Sequence, residues 1–196
     1  MTIDIHSAAV DADFISHVTE IERPIAEIAA LLAAVLAGAD LNALIHPLVY
    51  AHEILRDDER VQQLFSSGII GQLSFSDIFL GDPARESYYK YLIPELYGIL
   101  HADEPFPKDV DILTYWKRRM SLGEIHSVAM CLICGCGIFL SDDGDSKVLA
   151  RTVRQRTLGE IKVYSREEIL AISQENANPK LPRKDRKAFS HAIKSH

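Results

Sequence analysis

The stretch at residues 121–145, SLGEIHSVAMCLICGCGIFLSDDGD, constrains the fold more tightly than any other. Ser121 and Glu124 have the Ser-x-x-Glu spacing of a capping box, apolar and small residues follow through Cys134, and Gly135 suits a helix stop. A helix is therefore expected from 121 to about 134. Ile138, Phe139 and Leu140 make a short apolar strand, which breaks at Ser141, Asp142, Asp143, Gly144 and Asp145. Another helix is expected over 146–154, then a short strand over 161–164.

The first residues repeat this grammar. AAVDADFISH, residues 8–17, has the form of a short buried strand ending in the carboxylates Asp11 and Asp13. Residues 24–36 carry Ile25, Ile28, Ala29, Leu32 and Leu36 near helical spacing, between Pro24 and Gly38. Residues 41–45 form a brief apolar run, and Pro47 opens a helix with Glu53 in its middle. Further helical segments are expected at 61–65, 85–100 and 110–120, the second kinked or split by Pro94, with a loop over 102–109. Tyr88, Tyr89 and Tyr91 suit core packing better than base stacking. Short strands alternating with helices imply an α/β fold with a mainly parallel sheet.

Composition sets the outer bounds. The chain has 196 residues, 47% hydrophobic and 25% charged, enough to bury a core, and one decorated domain is the expected count. Neither an apolar run of membrane-spanning length nor a basic, apolar leader is found, so a cytoplasmic protein without a membrane partner is expected. Cys131, Cys134 and Cys136 fall within six positions, which excludes a disulfide framework across the fold. Their spacing is zinc-like in part, but inside an apolar run they behave as small buried hydrophobes. Net charge is −7, and it is divided: residues 1–146 carry 9 Lys/Arg against 23 Asp/Glu, while residues 147–196 carry 12 against 5. An acidic body is joined to a basic C-terminal quarter, ending in a basic tail over 176–196 whose roles are nucleic-acid binding, pairing with an acidic partner, or disorder.

Two strands ending in acids, Asp11/Asp13 and Asp142/Asp143/Asp145, carry the chemistry. In an open parallel sheet the carboxyl ends of the strands line one edge, so the clusters are expected to meet. Carboxylates gathered in one cleft raise each other's pKa unless a cation neutralises them, and an all-oxygen donor set favours a hard divalent ion such as Mg²⁺ or Mn²⁺. An Asp at a strand end also serves as a turn residue or a helix N-cap, as Asp143 or Asp145 would before the helix that follows.

On these residues the chain resembles the PIN domain, the nuclease fold shared with VapC-type toxins. In residues 121–150, Glu124 opens a helix of small apolar residues, Gly135 ends it, and the following strand ends in Ser141-Asp142-Asp143. VDADFISH resembles the family's first strand and its acid Asp11; IHPLVYAHEIL, residues 45–55, resembles the strand, Pro and helix that carry the second acid, here Glu53. The likeness covers residues 9–56 and 121–170. It implies a three-layer α/β/α domain over 1–175, with extra helices inserted at about 57–120, and an endoribonuclease dependent on Mg²⁺ or Mn²⁺. Asp11, Glu53, Glu124 and Asp143 would form the catalytic pocket, with Asp11 as central ligand, Asp13 and Asp142 as further metal ligands, and Ser141 and Asp145 in support. Asp13 departs from the neutral residue common there, which adds a charge to the pocket.

RNA needs cations near this pocket, because phosphate contacts dominate affinity. Lys117, Arg118 and Arg119 precede Glu124, and Lys147, Arg151 and Arg154 share a helical face after Asp143. A solvated helix face explains the second set equally well. The resemblance further implies a homodimer and, if the protein is a toxin, a cognate antitoxin. Two other functions are weighed: a haloacid-dehalogenase-type phosphatase using Asp11 and Asp13, which leaves Glu53 and Glu124 without a role, and a PIN-like module that binds RNA or protein without turnover.

Overall fold

Strands of three and four residues, the inner ones apolar on both faces, organise the molecule. The computed structural model describes residues 3, 6–56, 59–118, 120–177 and 179–191. Its elements are β1 (Ser7–Val10), α1 (Ala12–Thr19), α2 (Ile25–Gly38), β2 (Asn42–Ile45), α3 (Pro47–His52), a 3-10 turn (Ile54–Arg56), α4 (Glu59–Ser66) and β3 (Ile70–Gln72). There follow α5 (Phe75–Phe79), α6 (Pro83–Leu100), α7 (Leu122–Cys134), β4 (Ile138–Leu140), α8 (Gly144–Gln155), β5 (Lys162–Tyr164), α9 (Arg166–Asn176) and α10 (Arg183–His191).

The described strands form a five-stranded, all-parallel sheet in the order β3-β2-β1-β4-β5. Side chains alternate across it, as a strand's period of two requires. Ala8, Val10, Ala43, Ile45, Ile70 and Leu140 face a core shared with α1, α2, α4, α9 and α10, whereas Ala9, Leu44 and Phe139 face a core shared with α5, α6, α7 and α8. The result is the three-layer α/β/α architecture expected from the sequence. Because both faces are covered, the inner strands β1, β2 and β4 are nearly continuously apolar rather than alternating, whereas the edge strands β3 and β5 carry the exposed Gln72 and Lys162.

Local expectations are corrected at several places. The first strand stops at Val10, and Asp11 caps a helix, so Asp13 lies on the first turn of α1 rather than at a strand end. The cause is legible in packing: Phe14, Ile15 and Val18 fall on one buried helical face. Glu53 is not mid-helix but the C-cap of α3. Pro94 sits inside α6 without dividing it. Strand β3 lies in the central region expected to be helical insertion only. Residues 110–118 are irregular instead of helical, because Asp111 accepts from the Leu113 amide and the Thr114 hydroxyl and so competes with a helical ladder.

The expected capping box at Ser121 is also absent. Ser121 adopts a left-handed backbone, φ 45°, and its hydroxyl donates to Asp145 Oδ2 at 2.8 Å instead of capping α7. The C-terminal basic segment is no free tail as far as it is described: α10 buries Phe189 completely, and Arg23 donates to Asp185 at 2.7 Å. Cys131 and Cys136 are buried and Cys134 is half-buried, in keeping with their reading as hydrophobes.

Candidate active site

The strand order places the site before any side chain is considered. From β1 the chain crosses to β2 on one side, whereas β4 joins the other side of β1, so a crevice opens at the carboxyl ends of β1 and β4. Asp11 follows the last residue of β1, Ser141 follows that of β4, and the Asp11 amide donates to the Leu140 carbonyl at 2.9 Å. Helix α7 begins at the same edge, which brings Glu124 in its first turn to the crevice.

A cavity of about 470 Å³ occupies this position, lined by Asp11, Asp13, Glu53, Glu124 and Asp143, with His52, Trp116, Lys117 and Arg118 in its wall. Five expected acids from four separate chain segments thus come together. A larger depression, about 640 Å³, lies at the opposite edge against Ser7, Asn42 and Gly68, and is lined mainly by small and apolar residues.

Asp11 is the buried centre, 2% exposed. Its Oδ1 accepts from the Ala12 amide at 2.9 Å, and its Oδ2 accepts from the Ser141 hydroxyl at 3.1 Å. Burial first, then the charges of Glu124, Glu53 and Asp13, push its pKa well above the ordinary carboxylate value, and the Ser141 hydrogen bond opposes this. Glu124 is pushed up to about 7, chiefly by burial, with Asp143, Asp13 and Asp145 adding repulsion. Ser141 is a junction: its oxygen also accepts from the Asp143 amide at 3.1 Å and from the Ser146 hydroxyl at 2.9 Å. Asp143 caps α8 through the Asp145 amide at 2.7 Å, so the N-cap reading and the pocket reading both hold for it.

Asp142 is the correction. Expected as a metal ligand, it turns away from the cavity, because successive side chains of extended backbone point to opposite sides. Its oxygens accept from the Arg166 amide at 3.0 Å and the Arg166 Nε at 2.5 Å, and His17 Nδ1 lies at 3.3 Å. Arg166 is fully buried, and its two terminal nitrogens have no partner among the described residues. Asp145 does not line the cavity either; it accepts a hydrogen bond from Ser121, which does.

Of the expected cations, Lys117 and Arg118 line the cavity, and Arg119 lies outside the described residues. Lys147 pairs with Glu168 at 3.5 Å, and Arg151 and Arg154 are exposed along α8; none of the three lines the cavity. Tyr89 is buried, whereas Tyr88 and Tyr91 are exposed.

Sequence reasoning missed three contributors. Gly123 lies so close to Glu53 that a Cβ there would stand 2.8 Å from Oε1. Trp116 stacks on His52, with ring centroids 4.9 Å apart. Tyr89 links two buried histidines, its hydroxyl 2.7 Å from His46 Nε2 and 2.6 Å from His126 Nδ1. Since His46 Nδ1 accepts the Leu48 amide, His46 donates to Tyr89 and Tyr89 donates to His126. That chain ties the start of α3, which leads to Glu53, to α7, which carries Glu124. A glycine directly before the helix acid was the available signal for the first; the other two are long-range contacts with no local signature.

No family model, curated protein or solved structure matches this chain. Among the described residues no three His, Cys, Asp or Glu side chains already converge as a finished metal cage. Mg²⁺ needs no such cage, since it binds through one or two carboxylates and keeps several waters. The donor chemistry fits such an ion: carboxylates predominate over the single imidazole of His52, and two of them resist ionisation through burial and mutual repulsion. Among the described residues, no helix is long and apolar enough to cross a membrane.

Proposed function

We propose that this protein is a divalent-metal-dependent nuclease that hydrolyses phosphodiester bonds of RNA. One observation carries the reading: five carboxylates from four chain segments line one cavity at the switch point of a parallel sheet, with Lys117 and Arg118 in its wall. The resemblance to the PIN domain supports the same chemistry. A phosphatase working through Asp11 and Asp13 would leave Glu53 and Glu124 idle in the same cavity.

Asp11, Glu124 and Asp143 would hold Mg²⁺ or Mn²⁺ directly or through water, with Asp13 and Glu53 completing the negative wall. Bound there, the ion supplies a more acidic water and neutralises charge developing on phosphate oxygens. Ser141 orients Asp11 by donating to Oδ2, and Asp145 holds the entry to α7 through Ser121. Lys117 and Arg118 attract the phosphate backbone to a cavity that would otherwise repel it.

The test is cleavage of single-stranded RNA by purified protein. Activity with Mg²⁺ or Mn²⁺, its loss with EDTA, and its loss in folded Asp11→Asn and Asp143→Asn variants support the reading. Cleavage that persists in EDTA, or in both variants, refutes it. A toxin role belongs to the same reading: induced wild-type protein would slow growth and the Asp143→Asn variant would not.

A further inference from the structure

We infer that His52 and Trp116 form a nucleobase platform within the acidic cavity, so that the substrate is a single strand presenting an unpaired base beside the phosphate being cut. The inference rests on the nuclease reading and names its substrate more closely.

The two rings lie nearly parallel, 12° apart, and both line the cavity. Chain order sets them between opposite charges. His52 directly precedes Glu53, and Trp116 directly precedes Lys117 and Arg118, all in the same wall. A nucleotide has the matching pattern of a flat face next to an anionic phosphate.

The platform is also braced. Trp116 lies 16° from parallel with the ring of His126, centroids 6.3 Å apart, and His126 is fully buried and held by Tyr89. Trp116 is half-buried and packed against His52 and His126, and it lines the cavity with His52 among acids and cations, so this aromatic stack is the part of the wall that a planar ligand would meet. Bases stack on such faces with little regard for sequence. A duplex keeps its bases stacked inside the helix, which leaves the platform unused.

Trp116 is the chain's sole tryptophan, so its fluorescence reports on the platform directly. The probes are a short oligoadenylate, the same strand annealed to its complement, and an abasic ribose-phosphate strand of equal length, each titrated with Mg²⁺ into the Asp143→Asn variant. Saturable quenching by oligoadenylate is expected, with binding of the abasic strand and the duplex weaker by about tenfold or more. Trp116→Leu, followed by anisotropy of a labelled strand, should remove the preference for oligoadenylate; should that variant not fold, His52→Ala serves the same purpose. Equal binding of abasic strand and oligoadenylate overturns the platform. Base-dependent quenching supports it whether or not the wild type cleaves, and metal-dependent cleavage with unchanged base preference in Trp116→Leu refutes it while leaving the nuclease standing.

Discussion

The carboxylate of Glu53 rests against the backbone of Gly123, where a Cβ would come within 2.8 Å of Oε1. The absence of a side chain at one position of α7 thus sets where an acid from the end of α3 can lie. Gly123→Ala is expected to shift that carboxylate, the mobile end of its side chain, and leave the fold in place. Helix propensity alone would favour the alanine by about 0.8–1 kcal/mol. Thermal unfolding should show unchanged or raised stability, and Mn²⁺-dependent cleavage should fall at least about tenfold. Full activity in this variant would mean that the position of Glu53 does not matter.

Stability without metal should decline as pH rises. Glu124 has its pKa pushed up to about 7 from 4.5, so between these values the folded state holds a proton that the unfolded chain releases. Unfolding free energy therefore falls as pH climbs through that window, by an amount on the order of 3 kcal/mol. Urea titrations at pH 5 and pH 8 in EDTA check this. Added Mg²⁺ should recover much of the loss at pH 8 and little at pH 5, where protons compete for the same oxygens.

Asp142 and Asp143 are neighbours with different tasks, and substitution separates them. Asp142→Asn removes the charge facing the buried Arg166, at an expected cost of about 3 kcal/mol, because a buried cation then lacks its counter-charge. Asp143→Asn faces the cavity, so it should abolish cleavage and weaken Mn²⁺ binding. Calorimetric titration with Mn²⁺ should find Asp142→Asn, where folded, close to wild type.

Tyr89→Phe keeps the ring and removes one hydroxyl that serves two histidines. Both His46 Nε2 and His126 Nδ1 would lose a partner in a buried setting, a loss of about 2 kcal/mol or more. Burial holds both histidines well below their usual pKa, that of His126 at about 3, so neither relieves the loss by ionising near neutral pH. Denaturant melts should show the destabilisation, and reduced Mn²⁺ affinity would show that the link between α3 and α7 also positions Glu53 and Glu124.

Much of the layout was legible without coordinates. Strand β4 runs over the three residues expected of it, α7 begins after Ser121 and ends at Cys134 before left-handed Gly135, and the acids Asp11, Glu53, Glu124 and Asp143 line one cavity. These features depend on local chemistry: apolar periodicity, helix stops, and carboxylates at strand ends. The irregular path of residues 110–118 was not legible. Its Lys117 and Arg118 resemble the last turn of a helix in sequence, and Asp111 hydrogen bonds together with packing of Tyr115 on Phe106 decide otherwise.

The amino-acid sequence by itself determined that helices and short buried strands alternate and that acids follow two of those strands, since such patterns are fixed within a few residues. Only the tertiary structure decided which oxygens face the cavity. Asp143 enters it and Asp142 turns to Arg166, Gly123 makes room for Glu53, and Trp116 comes to lie on His52. The physical reason is that each of these contacts joins residues far apart in the chain, so the partner that determines it exists only once the layers have packed.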